Sequence, residues 1–208
     1  MAIASSEPSR VERRRAGVIA EALENAVAIM SEHGVGELSI SEVARRMGMR
    51  GPSLYKYFPS LHALYDALFA HALLAQQASF YPGLERLPRG VPRIRAATVG
   101  VVRWAVENPA LAQLLHWRPV PGFEPSPESY AISVRDMELA HEEFAEAIRL
   151  GQLAPEADTE DALRLYTVVS SGVISQQLAN EPGVSYEKGA FSRLTETAID
   201  LFLAPYRR

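Results

Sequence analysis

The sequence predicts an all-α protein of about nine helices, with a three-helix N-terminal head followed by a C-terminal helical bundle. Three observations carry that expectation. Apolar residues recur at helical spacing through most segments, and no convincing strand pattern or internal repeat appears. Helix starts (Ser or Asn before an apolar run) and helix stops (Gly or Pro after it) punctuate the chain repeatedly. The hydrophobic fraction of 48% over 208 residues suits one compact protein of one or two domains with a real core.

In order along the chain, residues 1–8 are small and polar and read as a disordered tail. Ser9 to His33 reads as the first helix. Val18, Ala22, Leu23, Ala26, Ile29 and Met30 give it a broad apolar stripe, and Gly34 and Gly36 close it. Leu38 to Leu64 then encodes two short helices around a tight turn. The first begins at Ser39 with Glu42 three residues later, the pattern of a capping box in which each side chain bonds the other's backbone N–H. Gly48 permits a turn that a Cβ would resist. Pro52 stands in the first turn of the second helix, and Pro59 ends that helix by disfavouring helical geometry at Phe58. Two helices across a short Gly-containing turn make a helix-turn-helix. Ser60 to Phe80 is a connecting helix that Tyr81-Pro82-Gly83 should stop, and a Pro/Gly-containing loop runs on to Pro92.

Pro92 to Glu107 is the next helix, and Asn108-Pro109 opens a short one. Four prolines between Trp117 and Pro127 demand a loop. Ser126-Pro127 caps a long helix reaching Leu150, with Tyr130, Val134, Met137, Ala140, His141 and Phe144 facing inward or into a cavity. Asp158 to Asp161 places acids at the start of the following helix, where they are favourable. From Ala162 to Leu178 that helix is apolar on most of its circumference. The last helix is capped by Ser185 and ended by Pro205. A helix that is apolar all round must be covered all round. Two copies of the last two helices could form a four-helix bundle about a two-fold axis. Its candidate interface is Leu165, Val169, Gly172, Val173, Phe191, Leu194, Ala198 and Phe202, and burial within one protomer is the alternative.

Several chemistries are excluded. Without cysteine there are no disulfides and no thiolate metal sites. There is no Gly-x-Ser-x-Gly elbow, phosphate loop or dinucleotide fingerprint. His141-Glu142-Glu143-Phe144-Ala145 begins like a zinc-protease motif but has Ala145 where the second His belongs, and the five His lack ligand spacing. No metal, no cofactor and no enzyme activity are therefore expected. No apolar run is long enough to span a membrane, so a cytoplasmic protein without a membrane partner is expected. Net charge is −4. Residues 1–62 hold eight Lys/Arg against seven Asp/Glu, which leaves the rest strongly acidic. The head is thus the basic end of an acidic protein, and any nucleic-acid binding must come from a few well-placed cations.

The run Leu54-Tyr55-Lys56-Tyr57-Phe58-Pro59-Ser60, with Ser39, Ala44 and Gly48 ahead of it, resembles the DNA-binding head of the TetR family of bacterial transcriptional regulators. The match covers roughly the first third of the chain in detail and the rest only in layout. The resemblance implies a helix-turn-helix DNA-binding domain over residues 9–62 (motif about 38–58) and a ligand-binding and dimerisation domain over 63–208. It also implies a double-stranded DNA operator and a small-molecule effector as partners, a homodimer through the last two helices, and phosphate contacts from cations such as Arg13. The expected function is a ligand-responsive transcriptional regulator, a repressor released from a pseudo-palindromic operator. A co-repressor-dependent regulator or activator, and an α-helical small-molecule carrier or enzyme, are the alternatives.

The candidate DNA-contacting residues are Arg13, Ser39, Arg50, Gly51, Pro52, Ser53, Tyr55, Lys56, Tyr57 and His62. Arg can bind guanine O6 and N7 bidentately, Lys can reach guanine or phosphate, and Ser and Tyr hydroxyls suit phosphate or base edges. Core packing is the alternative for Tyr55, which leaves Tyr57 the firmer phosphate contact. The chain departs from the family pattern at Arg50-Gly51-Pro52-Ser53, where Arg50 adds a cation and removes an N-cap. It departs again at Leu61, where a Lys is common and His62 or a backbone N–H would replace it. The candidate ligand-binding residues are Trp104, His116, Trp117, Phe123, Tyr130, Met137, Tyr166 and Gln176. Their aromatic character fits a mostly apolar ligand between helices, and the four-proline loop could form a lid.

Overall fold

The structure is a computed structural model that describes residues 9–208, so the tail expected over residues 1–8 lies outside the described residues. Among them, nine α-helices follow one another: α1 (Arg10–His33), α2 (Ile40–Arg46), α3 (Gly51–Leu54), α4 (Leu61–Leu84), α5 (Val91–Glu107), α6 (Pro109–His116), α7 (Pro127–Arg149), α8 (Glu160–Asn180) and α9 (Thr195–Leu203). The only extended pairing among the described residues is one isolated bridge between Leu153 and Arg207. Among the described residues, no helix is long and apolar enough to cross a membrane.

Capping decides where the helices begin. Ser9 Oγ accepts from the Glu12 N–H at 3.2 Å and the Glu12 carboxylate accepts from the Ser9 N–H at 2.7 Å, a complete capping box. Only half of the box expected at Ser39 forms. Ser39 Oγ accepts from the Glu42 N–H, but the Glu42 carboxylate turns away to the guanidinium groups of Arg45 and Arg46. Charge-assisted bonds to arginine outcompete a single neutral N–H. Gly48 makes the turn at φ +64°, a left-handed conformation open to glycine. The second motif helix is shorter than expected. α3 ends at Leu54, and the chain continues as a turn in which the Tyr57 and Phe58 N–H groups both donate to the Leu54 carbonyl.

Two further expectations are corrected. α4 does not stop at Tyr81-Pro82-Gly83 but runs through Pro82 to Leu84. A proline this close to a helix end removes one backbone bond from a turn that other contacts hold in place. The last helix does not begin after Ser185. It begins at Thr195, behind a single 3-10 turn over Ser192–Leu194. Gln177 explains the difference. Fully buried on α8, its side-chain oxygen accepts from the Phe191 and Ser192 N–H groups at 3.2 and 3.0 Å. Glu181 accepts from the Ala190 N–H at 2.6 Å. These side chains satisfy the backbone locally and remove the need for a helix there.

Two apolar clusters form the core. The larger runs from Ile29, Val43 and Leu54 in the head through Leu64, Tyr65 and Leu68 on α4 to Val102 and Leu111 in the body. Head and body therefore share one packed interior, with α4 as its spine. The smaller gathers Ile94, Phe144, Leu153, Tyr166, Ile199 and Phe202, with the rings of Phe144 and Tyr166 edge-on at 5.3 Å.

Candidate nucleic-acid interface and ligand cavity

In the head, packing separates buried from exposed residues. Leu54 and Phe58 are buried in the larger core, and α3 packs against α2. Arg50, Pro52, Tyr55 and Lys56 are exposed, while Gly51, Ser53, Tyr57 and Ser39 are half-buried. The two tyrosines are placed the opposite way from the expectation. Tyr55 is 49% exposed, whereas Tyr57 is half-buried with the Arg15 guanidinium over its ring at 5.3 Å. Arg13 and His62 are also exposed.

Charge pairing then selects among the cations. Arg46 bridges α1 and α2, bonding Glu32 at 2.6 Å and Glu42 at 3.2 Å, and Arg45 bonds Glu42 at 2.7 Å. These arginines lower the Glu42 carboxyl from 4.5 to about 2. Arg50 and Lys56 form no ion pair among the described residues, so their charge is available to a phosphate or a base edge.

The head joins the body through close contacts. The Tyr65 hydroxyl donates to the Val35 carbonyl at 2.6 Å. Phe123, from the proline-rich loop, packs against Tyr65 and His62 with ring centroids 5.7 and 6.0 Å away. Asp66 on α4 accepts from the Ser126 N–H at 2.7 Å and from the Ser126 and Ser129 hydroxyls at 2.9 and 3.0 Å, tying α4 to the start of α7. The loop is thus a strut at the junction. It lines a small hollow there with His62 and does not line the large cavity, which corrects its reading as a lid.

That cavity, about 500 Å³, lies between α4, α5, α6, α7 and α8. Phe69, Phe80, Val101, Phe144 and Tyr166 make much of its wall. Gly100 is what admits Phe80, because a Cβ at that position would sit 2.5 Å from the Phe80 Cβ. Polar groups interrupt this wall. Asp136 Oδ1 accepts from the Gln77 side chain at 2.7 Å and from the Tyr81 hydroxyl at 2.5 Å. Burial pushes the Asp136 carboxyl up, and the two hydrogen bonds oppose it only in part. Burial pushes the His116 imidazole down, so it stays neutral. Thr98 donates to the Tyr166 hydroxyl at 3.1 Å.

Three of the eight ligand candidates, His116, Met137 and Tyr166, line this cavity. The other five do not. Trp104 is buried in the larger core, and Trp117 lies at the surface beside His116. Phe123 belongs to the junction, Tyr130 is 56% exposed, and Gln176 is a surface residue bonded to Asn180. Aromatic content marked four of the five, and Gln176 was selected as a polar group, but an aromatic ring serves core, junction and surface equally well. Sequence reasoning missed Gln76, Tyr81, Thr98 and Asp136. Gln76 left one trace, a polar residue on the apolar side of α4.

On the far helices, Leu165, Gly172 and Leu194 are exposed, as are Val168 and Leu201, which the sequence reading did not select. Val169, Val173, Phe191 and Ala198 are half-buried. Phe202 is corrected: it is 5% exposed and packs within its own protomer against Phe144, Tyr166 and Tyr206.

The family described as bacterial regulatory proteins, tetR family, matches residues 22–68. The HTH-type transcriptional regulators Mb1846 of Mycobacterium bovis and Rv1816 of Mycobacterium tuberculosis are each 29% identical over 125 residues, covering 59% of this chain and 53% of theirs. The chain therefore spans about half the length of the curated relatives it matches. Among solved structures, the regulatory protein SCO4313 is 25% identical with a TM-score of 0.75, covering 95% of this chain and 100% of that one. The regulator FadR of Bacillus subtilis, solved in complex with stearoyl-CoA, is 13% identical with a TM-score of 0.73 over 89% of this chain and 97% of its own, a likeness of fold. With its head so built, the chain is similar over residues 22–68 to the tetR family of bacterial regulatory proteins.

Proposed function

We propose that this protein is a homodimeric, ligand-responsive transcriptional repressor. Residues 9–62 read DNA, and residues 63–208 bind a small, mostly apolar effector and hold the dimer together. The observation that carries this reading is α4. It begins where the helix-turn-helix ends, and its later turns carry Phe69, Leu73, Gln76 and Phe80 into the cavity wall. A ligand that prefers one packing of the cavity thereby biases the angle of the head. Only a difference in affinity between the two packings can do so.

Each dimer would place two α3 segments in successive major grooves, with half-sites about 34–36 Å apart for one helical turn. The exposed apolar residues Leu165 and Val168 of α8, Leu201 of α9 and Leu194 in the turn before α9 support pairing of these helices across a two-fold axis. The cell interior is the matching location. Selection of bound DNA from a random library, followed by gel shift on the selected site, tests the reading. A pseudo-palindromic site, bound in a salt-sensitive way and released by a ligand that fills the cavity, is expected. Failure to enrich any sequence would overturn it, and a ligand that tightened DNA binding would reassign the protein as co-repressor-dependent.

A further inference from the structure

Within the reading of the cavity as an effector site, two buried polar atoms specify more than an apolar ligand. Gln76 is 7% exposed, and its side-chain nitrogen is buried without a hydrogen-bond partner among the described residues. His116 Nε2 is buried in the same unpaired condition. The two residues come from different helices, α4 and α6, and line the same cavity. Buried polar groups in native proteins are almost always paired, so two orphans on residues that line one cavity call for a partner that occupies it. An amide nitrogen only donates, and a neutral imidazole with its proton on Nε2 donates as well. In that tautomer, what both lack is an acceptor.

The charges around the cavity decide which kind of acceptor. Glu85, Asp136 and Glu143 bring carboxylates to the wall and Arg93 brings the single Lys or Arg. Arg93 is already engaged, with the Glu143 carboxylate at 3.5 Å and the carbonyls of Leu87 and Glu85 at 3.0 and 3.5 Å. Glu143 is held further by the Arg89 guanidinium at 2.9 Å and the Gly90 N–H at 2.8 Å. No uncommitted cation therefore faces the interior to receive an anion, and neutral His116 does not supply one. An ammonium ligand carries no acceptor and would leave both nitrogens unpaired. A hydrocarbon would leave them unpaired as well.

We propose that the cavity selects an uncharged amphiphile whose apolar body bears a carbonyl-type acceptor bonded by Gln76 and His116, and that it discriminates against the corresponding carboxylate. Isothermal titration of the full chain at neutral pH with methyl octanoate, octanoate, octylammonium and octane tests this. Methyl octanoate should bind at least tenfold more tightly than the other three. Gln76→Leu should bring the ester to the level of octane. His116→Phe should reduce the ester's advantage, with unchanged thermal unfolding showing that each variant is folded.

Octanoate or octylammonium matching the ester would overturn the proposal. So would an ester advantage that survives both substitutions, or binding of none of the four. Gel shift on the selected DNA site with the same preparations separates the two readings. Retained DNA binding with failed ester selectivity removes this ligand class and leaves the regulator standing. Ester selectivity without any DNA binding does the reverse.

Discussion

Gly48 turns the chain between α2 and α3 at φ +64°, and a Cβ built there meets nothing within 4 Å. The cost of Gly48→Ala is therefore backbone strain alone, about 1–2 kcal/mol for an L-residue in the left-handed region. Chemical denaturation should show that loss as a lower midpoint at unchanged slope, and an unchanged midpoint would mean that the turn relaxes. Arg50 and Lys56 make a different argument, since neither is tied to a carboxylate as Arg45 and Arg46 are. Arg50→Ala should cost about 1–3 kcal/mol of affinity on the selected site and relax preference at one base pair. Lys56→Ala should weaken binding to all sequences and lower the salt slope by about 1. Wild-type affinity for both variants would remove α3 from the interface.

The short helix α2 holds its place in the head through charge as well as apolar contact. Arg46 joins Glu42 on α2 to Glu32 on α1, and Glu42 is lowered to about 2 by its hydrogen bonds from Arg45 and then Arg46. A carboxyl whose folded value lies below its unfolded value stabilises the fold above the unfolded value. That contribution is lost as pH falls through the folded one. The α1–α2 clamp should therefore weaken as pH drops from about 4.5 toward 2. Glu42→Gln should remove that part of the acid sensitivity, with wild type and variant converging at the low end of a pH series of thermal melts. Parallel curves at all pH values would show that the pairing contributes nothing. The same pairing explains why the capping box at Ser39 is incomplete. The residue types were legible, but the competition for Glu42 depended on an arginine one helical turn away and on a partner across α1.

For the molecule as a whole, the question is which apolar residues belong to the protomer and which to an assembly. Leu201 is 71% exposed and Leu165 is 47% exposed, whereas Phe202 is 5% exposed. Leu165→Glu or Leu201→Glu should leave the protomer folded and yield a monomer by light scattering at micromolar concentration, with loss of tight operator binding. Phe202→Ala should instead cost about 3–5 kcal/mol of fold stability. Dimers that persist through both glutamate substitutions would place the interface elsewhere.

The all-α layout, the helix-turn-helix and the cations flanking α3 were readable from the chain alone, because helical periodicity, Gly and Pro punctuation and a dense local motif act over a few residues. The cavity was only partly readable. Gln77 and Tyr81 meet Asp136 through the packing of α4 against α7, a contact between segments some sixty residues apart that no local pattern encodes. Trp104 and Phe202 likewise look no different in sequence from lining or interface residues, and only burial against particular neighbours assigns them to the core. Local propensity sets where helices form, while the choice of which face meets a neighbour, a ligand or water belongs to long-range packing.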